Sequence, residues 1–424
     1  MTAPLLPTLS DSQQSLVPAD ERLLSYVQDN AARQQQGQWR SPRVVTVPDG
    51  AQWPTITWQS SEGNWLAGVD WASNNYLGLA QHPTLSTAMR RAIDQPTARV
   101  GAGASRHISG TSPEVVALEH ALAQWKGTEA ALVMNSGYQA NVAILSALVG
   151  PGDAVVADKL NHASLVDGVR WSGATLKRYP HLDIAQAERF LSESRQASPN
   201  TRIWLVTDSV FSMDGDCADL PALATLAERY GALLMVDEAH ATGVFGTTKG
   251  SGLAEAQGIS SERIHLHMGT FSKALGSVGA YVAGSQCIID TLWNTARGLM
   301  YTTALPLPVI AANHAAVRFV QTDAVLRTQL WQNVVQVMAV LNPVLARHGL
   351  PLLSAQSPIL PVILGDRAVS VAEVLLANGV FAPVIRPPTV PSGQSRIRLT
   401  ISALHTSAQI AQLANVLDAA LLNA

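Results

Sequence analysis

The sequence predicts an α/β protein in which helices flank a mostly parallel sheet, followed by a smaller α+β lobe. Two observations support this fold class. Through the middle of the 424-residue chain, short apolar segments typical of buried strands alternate with segments of helical length and periodicity. After residue 305 the rhythm changes, because long helical stretches are there separated by only two strand-like segments.

Three regions follow from this change of pattern. Residues 1–72 are predicted to form an N-terminal arm with a helix over 18–35 and a small hairpin around Glu62-Gly63-Asn64, residues 73–305 a large domain, and residues 306–424 a small C-terminal domain. The predicted elements of the large domain include strands Ala130–Met134, Ala154–Ala157, Ile203–Thr207, Leu233–Val236, Ile264–Met268 and Ala280–Ala283, and helices Pro113–Lys126 and Pro221–Tyr230. The small domain is predicted to contain helices Pro306–Arg347, Ser370–Asn378 and Ser407–Leu422, and strands Leu360–Leu364 and Ile397–Ile401.

Composition narrows the functional classes. The chain is 47% hydrophobic and 14% charged, which predicts a large buried core rather than disorder. Its net charge of −3 and lack of a basic block argue against a nucleic-acid partner. Cys217 and Cys287 lack metal-type spacing and are typical of reduced thiols in a cytoplasmic protein. No secretory signal is visible in residues 1–18, and the longest uncharged stretch is too polar for a membrane span.

Two separated segments carry the strongest chemical signal. Thr270-Phe-Ser-Lys-Ala-Leu-Gly276 follows an apolar segment and places one lysine among small residues. Leu233-Leu-Met-Val-Asp-Glu-Ala-His240 ends an apolar strand in an aspartate. Lysine forms a reversible imine with an aldehyde, and a carboxylate beside a pyridine nitrogen keeps that ring a good electron sink. The pair therefore predicts a pyridoxal 5'-phosphate site, with Lys273 on the cofactor aldehyde and Asp237 on the ring nitrogen.

The remaining lysines and the competing motifs favour this interpretation. The chain has five lysines, and the other four stand beside turn or charge signals typical of solvated surface: Lys126, Lys159, Lys177 and Lys249. Asp237-Glu-Ala-His240 also spells a helicase box, but no lysine is followed by the serine or threonine that a phosphate loop needs. Gly101-Ala-Gly103 lacks the third glycine of a dinucleotide fingerprint. His265 and His267 have no evident third ligand, so no metal site is predicted.

Six motifs, in this order, extend the pattern over residues 20 to 420: Ser73-Asn-Asn-Tyr-Leu-Gly-Leu79, Gly101-Ala-Gly-Ala-Ser-Arg-His-Ile-Ser-Gly110, Asn161-His-Ala-Ser164, Phe211-Ser-Met-Asp-Gly215, the Asp237/His240 strand end and the Lys273 loop. With them the chain resembles the α-oxoamine synthases, fold-type I pyridoxal-phosphate enzymes. These condense an amino acid with an acyl thioester and release carbon dioxide. The resemblance implies a homodimer in which both chains contribute to each site.

Val384-Ile-Arg-Pro-Pro-Thr-Val-Pro391 followed by Arg396-Ile-Arg-Leu-Thr400 is most similar to members that join L-alanine to a pimeloyl thioester of coenzyme A or a carrier protein. The catalytic roles implied by the resemblance are those of Lys273, His162 (stacked on the ring) and Asp237. The implied cofactor contacts add His240 and Ser212 near the ring oxygen, Gly137, Tyr138 and Thr270 at the phosphate, and Thr302 from the partner chain. The implied substrate contacts are Arg398 on the alanine carboxylate, with Arg40, Asn74, Arg386 and Thr389.

Two alternatives stay open at this point. A sibling enzyme of the family would condense glycine with acetyl-CoA, or use another pair of amino acid and acyl donor. A non-catalytic subunit would keep the fold as a partner, but the presence of both Lys273 and Asp237 argues against it. The chain also departs from the family at Asn75, where aspartate is common, and at Tyr138, where phenylalanine is common.

Overall fold

The computed structural model describes residues 20–36, 38–60, 62–96 and 98–423. Its helices are α1 (Leu24–Gln35), α2 (Pro83–Ile93), α3 (Pro113–Lys126), α4 (Gly137–Leu148), α5 (Ala163–Ser172), α6 (Ile184–Ala197), α7 (Leu220–Arg229), α8 (Leu253–Ala256), α9 (Gln286–Thr295), α10 (Arg297–Met300), α11 (Leu307–Thr322), α12 (Val325–Arg347), α13 (Ala368–Ala377) and α14 (Ser407–Leu422). Its strands are β1 (Val45–Thr46), β2 (Thr55–Gln59), β3 (Trp65–Asp70), β4 (Ala130–Met134), β5 (Ala154–Asp158), β6 (Thr175–Tyr179), β7 (Ile203–Asp208), β8 (Leu233–Asp237), β9 (Leu266–Thr270), β10 (Ala280–Gly284), β11 (Ile359–Ile363), β12 (Val380–Phe381), β13 (Val384–Ile385) and β14 (Arg396–Thr400).

A seven-stranded sheet forms the centre of the molecule, in the order β4-β10-β9-β8-β7-β5-β6. Neighbouring strands from β9 to β6 are parallel, whereas β10 is antiparallel to both β4 and β9. The strands other than β10 therefore all point the same way and end at one edge of the sheet. Ligands bind at this carboxyl edge in open α/β sheets, since the loops leaving the strands gather there.

Apolar layers cover both faces of this sheet. Successive residues of β8 pack into opposite layers: Leu234 and Val236 belong to one core cluster, and Met235 belongs to the other. The first layer is closed by α3, α6 and α7, and the second by α4, α5 and α9. A sheet buried on both sides accounts for the nearly continuous apolar strands in the sequence.

Smaller sheets hold the two ends of the chain. The predicted hairpin is β2–β3, and it belongs to a four-stranded sheet in the order β1-β2-β3-β12, so residues near 380 pair with residues near 69. A three-stranded antiparallel sheet, β11-β14-β13, lies in the C-terminal region. Residues 1–19 of the predicted arm lie outside the described residues, and the predicted region boundaries stay predictions.

Most predicted elements match, but one strand was missed and two expectations were wrong. The strand β6 was missed because it is an edge strand carrying Lys177 and Arg178, so it lacks the apolar signal of its neighbours. The single helix over 306–347 is two helices, separated where the Asp323 carboxylate accepts a hydrogen bond from the Val325 N–H at 2.7 Å. Lys126 is buried rather than solvated, and it forms an ion pair with Glu238.

Across the described part of the chain, every helix is too short or too polar to cross a membrane.

Candidate active site

A cavity of about 290 Å³ opens at the carboxyl edge of the central sheet. It is bounded by residues that follow β4, β5, β7, β8 and β9, as the topology requires. Eight of the predicted site residues line it: Gly137, Tyr138, His162, Ser212, Asp237, His240, Thr270 and Lys273. The cofactor residues that the sequence scatters over more than 130 positions therefore meet in one place, with Thr302 as the exception.

Lys273 lies in a tight loop directly after β9. The Gly276 N–H donates to the Lys273 carbonyl at 2.9 Å, and the Ser277 N–H donates to the Phe271 carbonyl at 2.8 Å, which fixes the backbone on both sides of the lysine. Burial lowers the pKa of the Lys273 ammonium to about 8, although the negative charges of Asp237 and Asp208 oppose this. A lysine with this pKa has a far larger neutral fraction near physiological pH than an ordinary lysine, and the neutral amine is the form that acts as nucleophile and proton acceptor.

Asp237 ends β8 and is almost fully buried. Its carboxylate accepts hydrogen bonds from the Asn141 side-chain amide at 2.7 Å and from the Ala239 N–H at 2.8 Å. A buried carboxylate on a cavity wall is suited to hold a protonated ring nitrogen, because a charged partner offsets its own desolvation.

His162 lines another side of the cavity, directly before α5. Its backbone N–H donates to the Asp208 carboxyl at 2.6 Å, and its ring Nδ1 lies 2.6 Å from the Ser164 hydroxyl. These contacts fix the ring against the cavity, where a flat side chain can stack on a flat ligand. Burial and the nearby charge of Asp237 hold the pKa of the Asp208 carboxyl well above its usual value.

The phosphate end is defined by the start of α4. Ser136 caps this helix by accepting from the Gln139 N–H, and the first N–H groups of the helix have no partner within it. A Cβ at Gly137 would lie 3.5 Å from Met268 Cε and 3.9 Å from the Thr270 hydroxyl, so glycine leaves more open space between α4 and β9 than a larger side chain would. A helix N-terminus facing a hydroxyl across open space favours an anion such as phosphate. Tyr138 directs its own hydroxyl to Asp167 at 2.8 Å, leaving its backbone N–H as the group facing the site.

Neutral hydrogen-bonding groups complete the cavity. His240 is buried, and its Nδ1 lies 2.7 Å from the Tyr76 hydroxyl. Burial and the positive charge of Lys273 hold the pKa of His240 well below its usual value, so the ring stays neutral. Ser212 reaches the same wall from the loop after β7.

Arg398 lies beside this wall as a buried cation on β14. Its guanidinium donates to the Ser212 carbonyl, to the Thr400 hydroxyl at 2.8 Å, and to the Asn74 side-chain carbonyl at 3.1 Å. Each of these partners is neutral, and no carboxylate in the described part of the chain pairs with this arginine. A buried guanidinium without a counter-charge is suited to bind an anionic ligand group.

The remaining predicted substrate contacts form a separate cluster on the surface. Arg40 donates to the Thr389 hydroxyl at 3.1 Å, and Arg386 donates to the Trp39 carbonyl at 3.0 Å. The arm thus contacts the proline-rich loop, residues 386–391, and the substrate roles of these residues stay predictions. Thr302 lies in the turn after α10, outside the residues that line the cavity.

The described residues fit pyridoxal phosphate. A buried, partly neutral lysine, a buried carboxylate and a helix N-terminus surround one cavity, matching the aldehyde, the ring nitrogen and the phosphate of that cofactor. In addition, the Asn141 side-chain oxygen is buried without a hydrogen-bond partner. An orphaned acceptor at this point indicates that the wall is completed by a ligand or by water.

Sequence reasoning missed several contributors. Asp208 ends an apolar strand as Asp237 does, so the same signal could have found it. Asn141 follows Gly137 by four positions, which places both residues on one face of α4. Tyr76 lies within a quoted motif, but its contact with His240 spans 164 positions and has no local signal.

Comparisons with known proteins agree with this geometry. The family model described as aminotransferase class I and II matches residues 67–417, and the chain belongs to that family. The relatives also confirm the predicted resemblance to the α-oxoamine synthases. An 8-amino-7-oxononanoate synthase of Citrifermentans bemidjiense is 44% identical over 398 residues, which cover 93% of this chain and 97% of the relative.

Solved structures extend the agreement to the fold. A high-resolution structure of SPT with its PLP internal aldimine has a TM-score of 0.83 at 28% identity, covering 94% of this chain and 97% of that chain. The 8-amino-7-oxononanoate synthase of Francisella tularensis has a TM-score of 0.69 at 28% identity, covering 83% of this chain and 97% of that chain. The predicted fold-type I class is therefore confirmed.

Proposed function

We propose that this chain is a pyridoxal-phosphate-dependent acyltransferase that condenses L-alanine with a pimeloyl thioester to form 8-amino-7-oxononanoate, a step of biotin biosynthesis. The observation that carries the proposal is the meeting of Lys273, Asp237 and the α4 N-terminus around one cavity. The reaction is supported by the similarity over 93% of the chain to an 8-amino-7-oxononanoate synthase.

The residues that line the cavity support an assignment of cofactor contacts. Lys273 would bind the aldehyde carbon, Asp237 would bind the ring nitrogen, and His162 would pack against the ring. The N–H groups of Gly137 and Tyr138, with the Thr270 hydroxyl, would bind the phosphate. His240 and Ser212 would hydrogen-bond near the ring oxygen. When bound, the cofactor supplies an electron sink for the negative charge that develops at the alanine α-carbon.

The chain contributes orientation and proton transfer. Arg398 binds the alanine carboxylate, which places the α-hydrogen toward Lys273. The Lys273 amine removes that proton, and the Asp237 carboxylate keeps the ring nitrogen protonated. A carbon–carbon bond then forms between the α-carbon and the thioester carbonyl, and the carbon–sulfur bond breaks, so that the thiolate leaves and takes a proton from solvent. The original carboxylate leaves as carbon dioxide, and the α-carbon takes a proton from Lys273.

The proposal includes a homodimer and a cytoplasmic location. The dimer is supported by Thr302, whose implied cofactor role requires a second chain, because this residue does not line the cavity of its own protomer. The location is supported by the free thiols of Cys217 and Cys287. Coenzyme A and a carrier protein are both compatible with the thiol that leaves.

A thioester panel tests the proposal. Purified protein loaded with cofactor is offered pimeloyl-CoA or acetyl-CoA, each with L-alanine or glycine, while thiol release is followed. We expect turnover of the pimeloyl-CoA and L-alanine pair above the other three. A Lys273→Ala variant serves as the blank, and Lys249→Ala, which alters an exposed lysine, serves as the matched control.

Other outcomes would overturn the proposal in distinguishable ways. Preference for glycine with acetyl-CoA would assign the chain to the sibling reaction and leave the site intact. Failure to take up the cofactor, with no turnover of any pair, would indicate a non-catalytic subunit.

A further inference from the structure

His181 forms a bridge between two carboxylates outside the cavity. It follows β6, and its Nδ1 lies 3.0 Å from Asp158 Oδ1 while its Nε2 lies 2.8 Å from Asp216 Oδ2. Both ring nitrogens face carboxylates, so both contacts are hydrogen bonds only when the ring is protonated. Burial alone would lower the pKa of His181, but the two carboxylates outweigh it and raise the pKa to about 10. The ring is therefore an imidazolium at physiological pH.

One end of this bridge organises the turn that carries His162. Asp158 is the last residue of β5 and is almost fully buried. Its Oδ1 accepts from the Leu160 N–H at 2.7 Å, and its Oδ2 accepts from the Leu182 N–H at 2.8 Å. Leu182 has a φ of 58°, the only positive φ at a non-glycine residue within the described ranges. This strained backbone next to His181 is maintained by the contact with Asp158.

The other end fixes the loop that carries Ser212. The Phe211 N–H donates to the Asp216 carbonyl at 3.0 Å and the Gly215 N–H donates to the Phe211 carbonyl at 2.8 Å, which closes the loop on itself. His181 also packs edge-on against the Phe211 ring, with centroids 4.4 Å apart. The Ser212 carbonyl of this loop accepts a hydrogen bond from Arg398. A shift of the loop would therefore move the guanidinium that faces the substrate carboxylate.

We propose that His181 is a positioning residue that links the His162 turn to the Ser212 loop and thereby sets where Arg398 holds the amino-acid carboxylate. The inference rests on the proposed function, since it assigns the amino acid to Arg398. His181 itself does not line the cavity. Through Asp158 and Asp216 it sets the distance between His162, on the cofactor side of the cavity, and the guanidinium of Arg398.

The test compares His181→Gln with a matched control. Glutamine is uncharged and carries its donors on a single nitrogen, so it cannot donate to carboxylates on opposite sides as the imidazolium does. We expect the KM for L-alanine to rise about tenfold, since small displacements of a binding group are costly, while the KM for the acyl thioester changes little. His348→Gln is the control, because His348 also lies 2.8 Å from a carboxylate, Asp418, but at the far end of α12.

A second substitution separates positioning from folding. In the double variant His181→Gln/Asp216→Asn, the new asparagine amide can donate to the glutamine carbonyl. The KM for L-alanine should therefore fall part of the way back to the wild-type value. If His181→Gln fails to fold, Asp216→Asn alone removes the other charge of the same ion pair and should raise the alanine KM. Equal KM values for both substrates in His181→Gln and His348→Gln, even with a lower melting temperature, would overturn the proposal.

A binding measurement keeps this inference independent of turnover. L-Alanine is titrated into cofactor-loaded wild type and His181→Gln, and the change in cofactor absorbance is followed. Weaker binding of L-alanine in the variant supports the positioning role of His181 even if no thioester in the panel is turned over. If wild type and variant bind L-alanine equally, His181 does not position the amino-acid site.

Discussion

Asp208 and Asp237 are direct partners in the register between β7 and β8, so two buried carboxyl groups end neighbouring strands beside one cavity. Their environments differ. Asp237 accepts hydrogen bonds from Asn141 and Ala239, whereas burial and, second, the charge of Asp237 raise the pKa of Asp208 well above its usual value. Repulsion between the two carboxyl groups therefore favours protonation at Asp208.

This division of charge predicts unequal effects of the same substitution. Asp237→Asn removes the charge that keeps the ring nitrogen protonated, so we expect kcat to fall by about a hundredfold or more. Asp208→Asn replaces a neutral acid by a neutral amide of the same shape, so the fall should be much smaller. Steady-state kinetics on both variants, at equal cofactor occupancy, makes the comparison. A larger loss from Asp208→Asn would reverse the assignment of the charge.

Lys273 is expected to destabilise the cofactor-free protein. Its pKa is about 8 in the folded state against an ordinary value of 10.5, so the unfolded chain binds more protons between these pH values. The penalty is complete below pH 8 and disappears as the pH rises toward 10.5. Cofactor-free Lys273→Met should therefore be more stable than wild type at pH 7, by up to about 3 kcal/mol. Urea denaturation at pH 7 and pH 10 measures the difference, which should shrink at the higher pH.

Arg398 and Arg396 lie two positions apart on β14, and we expect substitutions at these two positions to have different effects. Arg396 pairs with Asp214, whereas Arg398 has only neutral partners in the described part of the chain. Arg398→Lys keeps a charge but loses the planar fork, so the KM for L-alanine should rise about tenfold. Arg396→Lys should lower the melting temperature and, because Arg396 holds the Ser212 loop only through Asp214 and the Met213 carbonyl, should raise that KM less than Arg398→Lys does. The same kinetic defect in both variants would contradict a specific carboxylate role for Arg398.

The buried pair of Lys126 and Glu238 is expected to dominate local stability. Lys126 also donates to the Ser251 carbonyl at 2.7 Å, and His267 lies 3.4 Å from the same carboxylate of Glu238. Lys126→Met leaves a buried charge unpaired, which should cost about 3–5 kcal/mol of unfolding free energy. Adding Glu238→Gln removes that charge and should recover part of the loss. Denaturation curves of the single and double variants decide this, and a double variant less stable than the single one would refute it.

The arm and the proline-rich loop give a prediction about the acyl donor. Arg40 and Thr389 are exposed and joined by one hydrogen bond, so neither should contribute much to stability. If both contact the thioester substrate, Arg40→Ala should raise the KM for pimeloyl-CoA severalfold and leave the KM for L-alanine unchanged. An effect on the alanine KM alone would place Arg40 at the other substrate.

The sequence was sufficient where the signal is local. Lys273 and Asp237 each follow an apolar strand at the sheet edge where ligands bind, so their meeting could be predicted from the order of elements. Helix α3 begins with Pro113 directly after a serine cap and ends before Gly127, and its bounds were predicted to the residue.

Where the determinants are distant, the sequence was insufficient. Lys126 stands next to a glycine turn, and nothing near it shows that Glu238, 112 positions away, would bury it. The break between α11 and α12 contains no proline or glycine, so no punctuating residue marked it. Asn141 and Tyr76 owe their places in the site to partners brought together only by the tertiary fold.

The pairing of β3 with β12 has a consequence for how the chain is made. On the ribosome, the N-terminal hairpin emerges some three hundred residues before the strand that completes its sheet. Until then one edge of β3 has unpaired backbone groups, which are a template for wrong partners. The nascent protein thus carries an open edge through most of its synthesis. Truncation before residue 380 should leave that edge permanently exposed and make the fragment prone to aggregate, however well the central sheet has formed.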